Sequence, residues 1–192
     1  LQEYEDVEIS VGDNIGGFTA ELLTNSPEVV SVAVQSPTGE SQPLIPARQG
    51  SSEEYRFLLE GTTVSISYSL GEFTRERELI FLRFTNPSKG IWRLRVYPEN
   101  YVTSRYHIWL PVTEFVQGDI FFLRSNPETT ITGPASAYAP ISVGGFNASD
   151  DSLYLDSGRG YNIDTLTVGE TVNPQVSRMT IMITGNDHDR DQ

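Results

Sequence analysis

The sequence predicts an all-β fold: an antiparallel jelly-roll β-sandwich followed by a short, mostly β and loop segment. Three observations carry that expectation. Apolar and polar residues alternate with period two in a series of segments, which turns one face of each toward a core. Turn clusters separate these segments at intervals of roughly ten to fifteen residues, the spacing of sandwiches and barrels. No segment keeps a 3.6-residue period between caps at both ends, so little helix is expected.

Taken in order, "DVEISV" (6–11) and "FTAELL" (18–23) are the first two strands, divided by the turn cluster "GDNIGG". "VVSVAVQSP" (29–37) alternates in the same way and runs into "SPTGE". "TTVSISYSL" (62–70) and "ELIFLRFTN" (78–86) follow, and "NPSKG" separates the latter from "GIWRLRVYP" (90–98). Within that strand, alternation assigns Trp92, Leu94 and Val96 to one face and Arg93 and Arg95 to the other. "SRYHIWLPV" (104–112) comes after the turn "YPENY".

From about residue 117 the character changes. "GDIFFLRSNPETTITGPASAYAPISVGGFN" has fewer alternating runs and more Pro, Gly, Ala and Thr. "APISVGGFN" reads as a short buried strand, Ile141–Val143, ending in a glycine turn. "SLYLDSGRGYN" (152–162) reads as another short strand and a loop, "VSRMTIMITG" (176–185) as a final strand, and "NDHDRDQ" as a frayed, charged tail. The expected divisions are a jelly-roll domain over 1–118, a second segment over 119–175, and a terminal strand and tail over 176–192. The first boundary is soft, near 117–126.

Composition bounds the function. With 192 residues, 38% of them hydrophobic, the chain can bury a core as one large domain or two small ones. A formal charge of −13 argues against nucleic acid and anionic membrane as partners, because both are held by basic faces. No apolar run approaches the length of a membrane span. Leu1 opens directly into a strand-like segment without a leader, as expected of a mature or excised chain. The absence of cysteine excludes disulfides, a thiol nucleophile and cysteine-ligated zinc. It suits cytosolic and exported proteins alike, so localisation stays open.

Each candidate site has a simpler reading beside it. Asp156-Ser157-Gly158 after an apolar run spells the Asp-Ser/Thr-Gly signature of two protease classes, or a turn after a strand. An aspartic dyad needs two carboxylates sharing a proton, and only one copy of the motif is present. His107 and His188 are the only histidines; His107 sits in strand alternation and His188 in the tail. No Gly-Thr-Ser or Gly-x-Ser-x-Gly motif occurs, so a Ser-His-Asp site is not expected. Asp187, Asp189 and Asp191 have the opening spacing of an EF-hand loop but lack its glycine and its final glutamate; a solvated tail is the simpler reading. Trp92/Tyr97/Tyr101 and Tyr106/Trp109 are either rings of a sugar-binding face or core and cross-strand pairs. No catalytic, cofactor or metal ligand is assigned.

The segment "PETTITGPASAYAPISVGGFNASDDSLYLDSGRGYN" (127–162) resembles the subtilisin-like (S8) serine peptidases between the oxyanion asparagine and the catalytic serine. Here "ISVGG" (141–145), "FNASDD" (146–151) and "YLDSGRGY" (154–161) correspond to that family's "ITVGA" strand, turn and "FSSRGP"-type segment. The earlier phrases "VVSVAVQSPTGES", "EYRFLLEGTTVSISY", "LIFLRFTNPSKGIWRLRVYPE" and "YHIWLPVTEF" resemble the jelly roll inserted in the clostridial germination-protease branch. The likeness covers about residues 4–165. It implies that 119–175 is part of a subtilase catalytic domain, and that Asp156 is a turn residue rather than the catalytic aspartate.

The family's Asp, His and Ser motifs and its oxyanion asparagine have no counterpart here. The resemblance therefore implies a piece of a serine endopeptidase that is inactive alone and that stabilises or rigidifies its parent. The competing expectation is a carbohydrate- or protein-binding module. The expected partner is the rest of the parent catalytic domain; residues 141–146 and 179–183 are expected either to pack along the jelly roll or to pair with a second copy of the chain. Apolar residues of "ISVGG" need cover, and "MTIMI" (179–183) is the expected substitute strand.

Overall fold

A computed structural model describes residues 4–25, 29–70, 77–99, 106–111, 115–116, 118–126, 143–147, 150, 152 and 181–185. The chain divides into two compact units, Leu1–Ser125 and Asn126–Gln192. Among the described residues every regular element is a strand.

The first unit contains β1 (Glu5–Val11), β2 (Gly17–Asn25), β3 (Val30–Gln35), β4 (Ser52–Arg56) and β5 (Thr63–Leu70). It continues with β6 (Arg77–Thr85), β7 (Gly90–Pro98), β8 (Tyr106–Trp109) and β9 (Ile120–Phe122). One sheet has the order β3-β7-β1-β9 and the other β4-β5-β6-β2-β8. All neighbours in both sheets are antiparallel. The pairs β1–β9, β2–β8, β3–β7 and β5–β6 nest inside one another. That is the winding of a jelly roll, with β4 added outside β5.

Alternation places the core as expected. Trp92, Leu94 and Val96 are buried on one face of β7, while Arg93 and Arg95 reach Glu8 and Asp6 on the other, at 3.2 and 3.1 Å. The inner faces of the two sheets meet in one apolar cluster, with Ile9, Val32 and Leu94 from one and Leu22, Ile66 and Leu82 from the other. Each such side chain contributes roughly 1.5–3 kcal/mol by leaving water. The Trp92 ring lies edge-on to Phe57 and Phe84 at 5.1 and 5.5 Å, which locks the sheets together.

Two strands lack the sequence pattern. β4 has no fully buried residue, and Glu53 and Glu54 give this sheet edge the charge that discourages further pairing. β9 pairs with β1 and belongs to the first unit, which runs to Ser125.

In the second unit, β10 (Val143–Asn147) and β11 (Ile181–Gly185) form a parallel pair, from Val143 opposite Ile181 to Asn147 opposite Gly185. This corrects the expected strand end at Val143. Gly144 and Gly145 lie within the strand opposite Met182 and Ile183, because ladder pairing satisfies their backbone whatever the side chain. Ile141, the segment 153–162, and the tail after Gly185 lie outside the described residues.

Candidate functional site

Connecting residues gather at one end of the sandwich: 12–16, 36–41, 57–62 and 86–89, with 110–111, 115–116 and 118–119. Turn chemistry shapes them. Asn14, Asn86, Gly39, Gly61, Gly90 and Gly118 all have positive φ, so among the described residues of the first unit most left-handed backbone is concentrated here. Gly118 is held there by its backbone, φ 121°, a conformation that side-chain-bearing residues rarely adopt.

The connections are tied to one another. The Glu40 carboxylate accepts from the Leu58 and Leu59 N–H groups at 2.9 and 3.3 Å. The Thr38 hydroxyl donates to Glu60. The Thr62 hydroxyl donates to the Asn86 carbonyl at 2.9 Å and accepts from the Ser88 N–H at 3.2 Å. Asn86 N–H donates to Gly16, and Gly12 N–H to Asp119. Lys89 pairs with Asp13 at 2.6 Å. Partial burial pushes the Glu60 carboxyl up, yet hydrogen bonds from Ser36 and Thr38 outweigh it and hold the group below its ordinary value.

This braced rim presents apolar side chains to solvent. Leu58 is 80% exposed and Leu59 76%, directly after Phe57, which is fully buried against Trp92. Phe115 is 84% exposed beside an open groove of about 380 Å³ lined by Gly16, Gly17, Phe18, Arg83 and Val116. Braced backbone beneath exposed leucines is suited to docking, since little freedom remains to be lost on binding.

The opposite end holds a buried polar network instead. Glu78, at the start of β6, is 3% exposed. Its Oε2 accepts from the Val30 N–H at 3.0 Å and the Thr24 hydroxyl at 3.4 Å, while Oε1 has no hydrogen-bond partner. Burial pushes the carboxyl up to about 7, against those two hydrogen bonds, and the charge of Glu99 adds to the effect. The Tyr68 hydroxyl donates to Ile45 carbonyl at 2.8 Å and accepts from Val32 N–H at 3.1 Å. The Ser31 hydroxyl donates to Glu99.

The residues singled out in the sequence do not converge. His107 is half-buried on β8 and stacks on Trp109 at 6.5 Å; burial lowers its imidazole pKa. Trp92 is core, whereas Tyr97 faces the other side of β7 and packs on Tyr4 at 5.3 Å. Tyr106 is half-buried and donates to Glu5. Tyr101, Asp156, Asp187, His188, Asp189 and Asp191 lie outside the described residues. Among the described residues no three His, Asp or Glu side chains gather as a metal site, and no helix is long and apolar enough to cross a membrane. Sequence reading missed the Leu58–Leu59 tip; its available signal was an apolar pair followed by Glu60 and the turn glycine Gly61.

No protein-family model matches the sequence, and no curated protein matches it. Among solved structures, the chain is similar to the CspB protease of Clostridium perfringens, at 27% identity and a TM-score of 0.70. The likeness covers 83% of this chain and 34% of that one.

Proposed function

We propose that this chain is the non-catalytic jelly-roll portion of a subtilisin-like serine endopeptidase, and that it stabilises the peptidase containing it. The observation that carries the reading is the likeness to a clostridial protease over 83% of the chain at 27% identity. The missing serine, histidine and aspartate motifs agree with a supporting role, since loss of one triad member already removes most of the rate. The docking face is the braced rim around Leu58, Leu59 and Phe115. Each 100 Å² of apolar surface covered there contributes roughly 2.5 kcal/mol before ordering costs, so a modest contact can hold the peptidase in one conformation.

The parallel pairing of β10 and β11 supports the same reading. Parallel sheets occur mainly inside α/β domains with both faces covered, and a two-stranded sheet is marginal by itself. The part of 119–175 that follows Ser125 then belongs to the catalytic domain, whose remaining strands complete the sheet. In the chain alone, a second copy supplies that cover through 141–146 and 179–183. The binding-module alternative asks for outward rings on a concave face. Phe115 beside its groove is one such ring, whereas aliphatic Leu58 and Leu59 favour docking to protein over stacking on sugar.

The test joins two measurements. The chain is expected neither to hydrolyse casein nor to label with a fluorophosphonate probe; stoichiometric labelling of one serine contradicts the reading. The coding sequence on either side is expected to carry Asp-Ser/Thr-Gly and His-Gly-Thr-His motifs upstream and Gly-Thr-Ser downstream. Flanks without them refute the assignment to a subtilisin-like enzyme.

A further inference from the structure

We propose that Glu78 is a proton-dependent stitch between the two sheets, closed while its carboxyl is neutral and loosened when it ionises. The geometry carries the inference. Glu78 belongs to β6 in one sheet, and its Oε2 accepts from the first N–H of β3 in the other. Its second hydrogen bond, from Thr24, reaches β2 beside it. Both donors serve one oxygen, and Oε1 is buried without a partner. A neutral carboxyl tolerates that environment at modest cost. A full charge does not, because half of it lies where water would otherwise be.

The hydrogen bonds from Val30 and Thr24 favour the ionised form, and burial, with the Glu99 charge, outweighs them. From β5 comes Tyr68, whose hydroxyl is engaged by Ile45 and Val32, and from β8 comes Tyr106, engaged with Glu5. Burial raises the pKa of both phenols, so they stay neutral. Thr24 on β2 and Val30 and Ser31 on β3 bring no charge. Glu99, just after β7, brings a negative one.

Glu78 is raised from its ordinary 4.5 to about 7. A raised folded-state value means that the native state holds the proton longer than the unfolded chain does. Its stabilising contribution is complete below 4.5, declines as pH rises, and is gone above about 7. The loss is local: it loosens the ends of β2, β3 and β6, and leaves the braced turns at 57–62 and 86–89 unchanged.

Three readouts on the 192-residue chain test this. Carboxyl-carbon NMR, with Glu78 assigned by its loss in Glu78→Gln, is expected to titrate near 7. Melting of the wild type is expected to fall between about pH 5 and about pH 8, and Glu78→Gln to lose most of that fall. Amide exchange, corrected for intrinsic rate, is expected to rise with pH at 22–24 and 30–32 but not at 57–62. A Glu78 carboxyl that titrates in the ordinary carboxylate range overturns the proposal, as does Glu78→Gln falling as steeply as wild type. If Glu78→Gln fails to fold, exchange on the unaltered chain decides the matter alone, and no pH-dependent rise at 22–24 and 30–32 overturns the proposal.

Discussion

The two ends of the sandwich use opposite means of closing the same core. At the turn-rich end, strained backbone and cross-linked turns hold exposed Leu58, Leu59 and Phe115 in place. At the other end, Glu78, Tyr68 and Ser31 stitch strand ends through buried polar groups. Apolar surface is thus displayed where the backbone is most constrained, and titratable groups are hidden where the strands terminate. In the functions proposed above, docking falls to the first end and pH response to the second. The constraint at the first end lowers the ordering cost of binding.

The largest effect expected from breaking this arrangement comes from Trp92→Ala. Trp92 is fully buried against Phe57 and Phe84, and its Nε1–H donates to the Ser88 carbonyl at 2.9 Å. The loss is expected to be about 3–5 kcal/mol in urea melts, with the 57–62 turn loosened because Phe57 loses its wall. A loss under about 1 kcal/mol separates the rim from the core and breaks the comparison.

Next comes Tyr68→Phe at the opposite end. The change leaves Ile45 carbonyl and Val32 N–H without their buried partner, and about 2 kcal/mol is expected. Faster amide exchange is expected at 32 and 45, with the turn-rich rim untouched.

Glu40→Ala is expected to cost about 1 kcal/mol, the scale of a lost helix cap, because two backbone N–H groups lose one carboxylate. Its sharper readout is exchange at Leu58 and Leu59, expected to speed up while the core is unchanged. The smallest effect is that of Leu58→Ser with Leu59→Ser. Both side chains are mostly exposed, so the chain alone is expected to shift by less than about 0.5 kcal/mol.

The sequence made the sandwich legible wherever a strand has one wet and one dry face. In β7 the buried Trp92, Leu94 and Val96 alternate with Arg93 and Arg95, and the strand bounds follow directly. β4 escaped because an edge strand with exposed Glu53 and Glu54 carries no such contrast. β9 escaped because three residues are too short to show a period, and its register on β1 is set by a partner distant in sequence. Gly144 and Gly145 looked like a turn, yet the pairing with β11 draws them into a strand. The functional end was the least legible part. Leu58 and Leu59 carry no alternation of their own, and they stand exposed because Glu40 holds the backbone of their turn.

The central claim is that the braced rim is where this sandwich grips the rest of a peptidase. The most direct measurement is the melting temperature of the encompassing peptidase with Leu58→Ser and Leu59→Ser, set against the same pair in the chain alone. A drop of several degrees is expected in the peptidase and almost none in the chain alone, since the leucines are buried only when docked. Equal shifts in both, or no shift in the peptidase, would contradict it.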